Sequence, residues 1–350
     1  MDKVRVGIVG CGGMARSHAS RFNMILDRVE ISAVCDIIIE RAQNVAELLP
    51  NEPLVTPDYK EMYDHVDAVL LVLPHQTHYQ ATLDFLNAGK HVLVEKPMAN
   101  SEQECLEMIQ CAKDNDRVLM VAYCMRFHPL VCKLKELLDD KTYGDCFQLS
   151  IWTEQLTKYP PDHWASSAAT LGGGQLFSHG CHYVDLLLWI LGKPVRGIHL
   201  GTNFGTPWME REGTSNVTIE FEGGVMGYHM GTWGARGTRL RYSFHAHCTE
   251  GMLEIDLRKG QLILHSKHAV HDPGRTDTAQ NEEVLVEVPH AKPTEVEMIH
   301  FIDCIKTGEK PLTDPVGSLE GLQVIWKLYE AEEKHELADL AGMGIGSLDL

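Results

Sequence analysis

The sequence predicts an α/β chain in two parts: a doubly wound parallel sheet over residues 1–124, then an α/β part built on antiparallel hairpins over 125–350. Three observations predict it. Short apolar runs alternate with helix-length segments through the first part. The texture turns longer, more polar and more aromatic after Arg126-Phe127-His128-Pro129, and glycine-rich turns separate the later runs. A length of 350 residues is enough for two domains of ordinary size.

In order along the chain, VRVGIVG (4–10), VEISAVCD (29–36), DAVLLVLP (67–74), HVLVEK (91–96) and RVLMVAY (117–123) are rich in Val, Ile and Leu. Runs of this kind are strands buried on both faces, as in a parallel sheet. Between them, Gly89 stops one helix, and Ser101 with Glu104 forms a capping box for the next, whose apolar positions include Cys105, Met108, Ile109 and Ala112. A helix is expected over about 129–140. The runs DCFQLSIWTE, NVTIEFEGG, VMGYHMGTWG, LRYSFHAHC and GMLEIDLRKGQLILHS then read as hairpin strands. Helical spacing returns over about 294–306 and 315–333. The tail from Leu337 to Leu350, with Gly342, Gly344 and Gly346, is read as a loop or an oligomer contact.

Composition narrows the function classes. The chain is 44% apolar and 23% charged, which is the balance of a soluble globular protein. Its formal charge of −18 argues against nucleic acid or an anionic membrane as main partner. Ten cysteines include no Cys-x-x-Cys pair, and no basic-plus-apolar leader opens the chain; both point to a cytoplasmic protein with free thiols. No apolar run approaches the roughly 18 residues of a membrane span.

Gly10-Cys11-Gly12-Gly13-Met14-Ala15 fits G-x-G-x-x-A between an expected strand and an expected helix. Gly10 allows the tight turn, Gly12 lets a pyrophosphate approach the backbone, and Ala15 permits close helix–strand packing. Gly13 and Met14 open the helix, whose free N–H groups face the phosphates. Asp36, at the end of the second run, is placed to accept hydrogen bonds from the adenosine ribose. Its charge repels a 2′-phosphate, and Ile37-Ile38-Ile39 supply no cation, so NAD is favoured over NADP.

VGIVGCGGMARSHA, LPHQTH, AGKHVLVEKPMAN, MRFHP and GGGQLFSHGCHYVDLLLWILG occur in that order. In these pieces and their spacing the chain resembles the glucose–fructose oxidoreductase/inositol dehydrogenase/rhizopine-catabolism (Gfo/Idh/MocA) family over most of its length. The resemblance implies a Rossmann domain followed by an α/β domain with a large, mostly antiparallel sheet, through which members form dimers or tetramers. It also implies that Lys96, in Glu95-Lys96-Pro97, lies at the nicotinamide and hydrogen-bonds the substrate hydroxyl. Pro74, His75 and His78 match the family's loop near the cofactor, with His75 where an Asn is usual. Arg126 is a candidate for the cofactor's phosphates or carboxamide, or for pairing with a carboxylate.

The family pattern after three glycines places an Asp four residues on and a His four further. Ser178 and His182 hold those places here. His182 is the candidate general base, with an ordinary imidazole pKa of roughly 6.5 suited to proton transfer. Asp185 would orient its ring or meet a sugar hydroxyl. Ser178 lacks the carboxylate, and His179 is an extra candidate. In TKYPPDHWASS (157–167), Tyr159, His163 and Trp164 are candidates to line a sugar pocket, with Trp164 read equally as a loop anchor. His245-x-His247 lacks a third ligand at local spacing, and no metal is expected. Trp208 and Trp233 are assigned to the sheet or an interface.

The resulting expectation is an NAD-dependent oxidoreductase acting on a secondary hydroxyl of a sugar, glycoside or polyol, with pyranose C3 the most concrete choice. Ser178-His179-Gly180 resembles the Thr-His-Gly of a family branch that cleaves glycosides by transient oxidation, which is one alternative. A non-catalytic dinucleotide-binding sensor is the other.

Overall fold

The computed structural model describes residues 3–267, 280–289 and 292–350. Its first elements are β1 (Val4–Val9), α1 (Gly13–Phe22), β2 (Val29–Cys35), α2 (Ile39–Ala46), β3 (Leu54–Thr56), β4 (Ala68–Leu71), α3 (His78–Asn87), β5 (His91–Glu95), α4 (Glu102–Asp114) and β6 (Leu119–Ala122). The six strands form one parallel sheet in the order β3-β2-β1-β4-β5-β6. Their apolar runs are buried on both faces because helices cover both sides. The order reverses between β1 and β4, and that crevice at the strands' carboxyl ends is where such sheets bind ligands.

The expected strands are all present. The three-residue β3 was not read, since Leu54-Val55-Thr56 is too short to show a period. Lys96 therefore follows the fifth strand and Pro74 the fourth. Ser101 caps α4 by accepting from the Glu104 N–H at 3.3 Å, and the Glu104 carboxylate reaches back to the N–H of Asn100.

The chain continues with α5 (Pro129–Asp139), β7 (Cys146–Glu154), α6 (Ala168–Leu171), a π-helical turn (Leu176–Gly180), α7 (Cys181–Leu191), β8 (Pro194–Thr202), β9 (Thr214–Phe221), β10 (Met226–Thr232), β11 (Tyr242–Cys248), β12 (Gly251–Asp256), β13 (Gln261–Lys267), β14 (Gln280–Glu287), α8 (Thr294–Thr307), α9 (Pro315–Lys334) and β15 (Ala338–Asp339). Nine strands make a second sheet in the order β14-β13-β12-β11-β7-β10-β9-β8-β15. It is antiparallel except for β7 and β10.

One face of this sheet packs on α7 and α9, burying Val217, Ile219, Phe221 and Phe244 against Leu186, Leu187, Leu322 and Leu328. β8 and β14 escaped the sequence reading for a physical reason. β14 is an edge strand with the acidic start QNEE, and β8 has only two-residue β15 beyond it, so neither carries a clean apolar alternation. α8 turns back to the first sheet, where Met298, Phe301 and Ile302 join a core with Ala15, Ala19 and Phe22 of α1. The tail folds back as well: the N–H groups of Gly346 and Leu348 donate to Glu320 of α9.

Candidate functional site

The glycine turn is shaped for a close visitor. Gly10 has φ +87°, and a Cβ there would lie 2.2 Å from the Val72 carbonyl, so only glycine fits. Gly12 and Gly13 have no atom within 4 Å of a Cβ position, leaving open space over the start of α1. No side chain caps α1, so its leading N–H groups face that space. Met14 is 37% exposed in the first turn. Asp36 lies alongside: its carboxylate accepts from the Cys11 N–H and the Ile38 N–H, each at 2.8 Å. An open backbone cradle, a helix N-terminus and an adjacent carboxylate fit a dinucleotide's pyrophosphate and diol.

At the far side of the crevice the loops after β4 and β5 meet. Pro74 opens a short 3-10 turn over His75–Thr77. His78 is turned inward, with Nδ1 2.9 Å from the Pro97 carbonyl and Nε2 2.9 Å from that of Leu73. Its ring lies between the loops after β4 and β5, and both nitrogens face backbone carbonyls. His75 Nδ1–H donates to the Leu171 carbonyl at 2.8 Å, and its ring stands edge-on to Trp164 at 4.8 Å. Glu95 accepts from His18 Nε2 at 2.9 Å. Burial would push this carboxyl up, but the His18 hydrogen bond and the Lys96 charge hold it at about 2.

Lys96 crosses the cleft. Its Nζ donates to the Ser178 carbonyl at 3.1 Å, joining the edge of the first sheet to the π turn. π turns insert one extra residue and recur at functional sites. Ser178 contributes only this backbone oxygen: its side chain makes no hydrogen bond to His182. The His182 ring is 4% exposed, stands edge-on to Tyr123 at 5.7 Å, and has its Nδ1 sealed from solvent without a partner. Burial, then the charges of Lys96 and Lys292, push its pKa well below the ordinary imidazole value, so it is neutral and able to accept a proton.

His179, by contrast, is committed at both nitrogens. Tyr242 donates its hydroxyl to Gln155 Oε1, so it accepts from His179 Nε2–H at 3.4 Å. Nδ1 is then the acceptor for the Gln175 amide at 3.3 Å. Burial and the charges of Lys292 and Lys96 hold this ring neutral too.

The guanidinium of Arg126 holds the Asp185 carboxylate in a bidentate pair (Nε to Oδ2 2.8 Å, Nη2 to Oδ1 2.6 Å), donates to the Leu312 carbonyl at 3.1 Å and lies over Trp189. Arg126 thus pairs with a carboxylate, one of its two expected roles, and the Asp185 carboxylate is held by Arg126. The loop residues divide. The Tyr159 ring stacks on His163 at 4.5 Å and stands edge-on to Trp233, which lies 6.5 Å from His179. His163 accepts from the Ala165 N–H to cap a 3-10 turn, and Trp164 anchors the loop on His75. Trp233, buried directly after β10, keeps its place at the sheet and lies beside His179. His245 bonds Ser243 on the open face of the second sheet. Among the described residues no group of three or more His, Cys, Asp or Glu is arranged to hold a metal.

Sequence reasoning missed Gln155, Gln175, Tyr242 and Lys292, and with them Glu297, a fully buried acid whose two oxygens have no partner. Only Gln175, directly after the three glycines, carried a positional signal.

Residues 4–123 match the family described as oxidoreductase family, NAD-binding Rossmann fold, and residues 131–254 match the GFO/IDH/MocA C-terminal domain. The chain is 24% identical to scyllo-inositol 2-dehydrogenase (NAD(+)) of Bacillus subtilis (strain 168), over 92% of each chain. It is 31% identical to D-glucoside 3-dehydrogenase of Escherichia coli (strain K12), over 55% of each. It spans 55% and 65% of the length of two inositol dehydrogenases that it also matches. Levoglucosan dehydrogenase in complex with NADH shares the fold, with TM-score 0.83 and 19% identity over 97% of this chain and 99% of that one.

Proposed function

From the premise that the chain belongs to the Gfo/Idh/MocA oxidoreductase family, with its NAD-binding Rossmann domain, we propose that it oxidises a secondary hydroxyl of a sugar, glycoside or polyol. The observation that carries this is Lys96 bridging the sheet edge to the π turn, one helical turn before a neutral, unpartnered His182. Hydride acceptance is the chemistry that NAD supplies when bound in the glycine cradle. Lys96 would hold the substrate hydroxyl in place, exchanging its Ser178 bond for one to the substrate. His182 would take the hydroxyl proton as general base. Pyranose C3 is the position we propose. Incubation with NAD and a panel of sugars, glycosides and polyols, followed by reduced-cofactor absorbance and product mass, tests the reading. No turnover on any member would count against it.

We also propose a homo-oligomer, in which a second copy covers the open face of the nine-stranded sheet, where Phe147, Ile198 and Leu200 are exposed. The chain's place is proposed as the cytoplasm; among the described residues no helix is long and apolar enough to cross a membrane.

Cofactor choice rests on Asp36. NAD is expected to bind tighter than NADP, and Asp36→Ala to narrow the gap, because it removes the charge facing a 2′-phosphate. Calorimetry showing stronger NADP binding to the parent protein would sink the assignment.

The geometry favours simple oxidation over redox-assisted glycoside cleavage. A cleaving enzyme needs a second base for the C2 proton, and the Nδ1 lone pair of His179 is occupied by Gln175 while Nε2 carries the proton. His179→Ala is therefore expected mainly to raise KM, by releasing Gln175 and Tyr242 at the edge of the cleft. Release of free aglycone with catalytic NAD, abolished by His179→Ala, would reverse this choice.

A further inference from the structure

Three glycines and Gln175 lead into the π turn, and the glycines offer no side chain to cap it, yet the leading amides from Gly174 to Phe177 are all satisfied. The Gly174 N–H donates to the Tyr329 hydroxyl oxygen at 3.2 Å and the Phe177 N–H to the same oxygen at 3.3 Å. The Gln175 N–H donates to the Glu212 carbonyl at 2.8 Å, and the Leu176 N–H to Glu212 Oε1 at 3.1 Å. Tyr329 closes the arrangement by donating its hydroxyl to Glu212 Oε1 at 2.6 Å. A helix leaves four N–H groups unpaired at its start. Here two residues, one from the loop before β9 and one from α9, take all four.

The glycines now have a packing reason. A Cβ on Gly174 would lie 2.1–2.3 Å from the Glu212 carboxylate atoms, so the carboxylate can reach these amides only over a bare backbone. Glu212 is 8% exposed, and the Tyr329 ring is wedged edge-on to His199 at 5.1 Å. The clamp is thus itself held by the second sheet and α9.

We propose that Glu212 and Tyr329 are positioning residues for the reaction: by fixing the four leading amides they set the register of Ser178, His179 and His182. A π turn carries one residue more than an α turn, and relaxing it to α would rotate the residues after it by roughly 100°. That rotation would withdraw the Ser178 carbonyl from Lys96 and swing the two imidazoles out of the cleft. Neither Glu212 nor Tyr329 touches the dinucleotide cradle, so cofactor affinity is not under their control. The kinetic arm of the test rests on the dehydrogenase reading; the exchange arm does not.

The test uses the full chain without cofactor first. Amide hydrogen exchange over 174–182 is expected to be about tenfold faster or more in Tyr329→Phe and in Glu212→Leu, with exchange in β1 and β4 unchanged. Glu212→Gln keeps an acceptor oxygen and is expected to restore most of the protection. On a substrate that the parent turns over, Tyr329→Phe should lower kcat by about tenfold or more, as expected for misplaced groups, with the NAD dissociation constant within about twofold. Unchanged exchange in both variants overturns the clamp, and so does loss of protection spread evenly over the molecule. Faster exchange at 174–182 with unaltered kcat overturns the positioning role. A parent inactive on every sugar overturns the functional reading alone, and the exchange result still decides the clamp.

Discussion

Lys96→Ala and His182→Ala are each expected to lose at least about 100-fold in turnover while NAD still binds, the loss typical of removed acid–base groups. The proposed dinucleotide cradle, Gly10–Met14 and Asp36, lies on other loops of the same sheet edge, so binding and chemistry are expected to separate. The same geometry fixes a pH signature. A general base works in its neutral form, and burial with two nearby ammonium groups has lowered the His182 pKa. Its protonation therefore sets in below the ordinary imidazole value, and the acid limb of kcat/KM should lie below roughly pH 6.5. Stopped-flow rates on the accepted substrate check both statements. A variant with near-parental turnover, or an acid limb above pH 7 that persists in His182→Ala, would show that the base is another group.

What the sequence made legible follows the range of the interactions. The parallel sheet was readable because each strand is buried on both faces and so writes an uninterrupted Val/Ile/Leu run. The glycine turn was readable because backbone geometry allows only Gly at position 10. Lys96 and His182 were identified through short motifs, which carry position but not partners. Partners are what the sequence hides: Tyr242 (itself held by Gln155), Glu212 and Tyr329 reach the 174–182 segment from separate places in the chain, and none has a local signature. Edge strand β14 was missed for the opposite reason, since a polar edge writes little periodicity at all. Asp185 shows the hazard of spacing arguments. It lies three residues after His182, on the same helical face, yet the partner that captured it is 59 positions away.

That capture is expected to dominate the stability of the second part. Arg126 and Asp185 are 5% and 3% exposed, and their bidentate pair ties the segment before α5 to the middle of α7. The carboxylate keeps the guanidinium charged despite burial, raising its pKa. Arg126→Met preserves much of the stem's packing on Trp189 but leaves a buried carboxylate without its partner. The expected cost is roughly 3–5 kcal/mol, the range for breaking one side of a buried ion pair. Arg126→Met with Asp185→Leu removes both charges and should recover most of that loss, because apolar replacements of such pairs are often nearly neutral. Urea unfolding of the parent, single and double variants measures it; a single variant within about 1 kcal/mol of the parent would mean the pair is not the lock it looks to be. The double variant also tests the cofactor question. Three of the five N–H groups of Arg126 are taken by Asp185 and the Leu312 carbonyl, so the double variant is expected to bind NAD within about twofold of the parent. A tenfold loss of affinity in that folded protein would return Arg126 to the cofactor site.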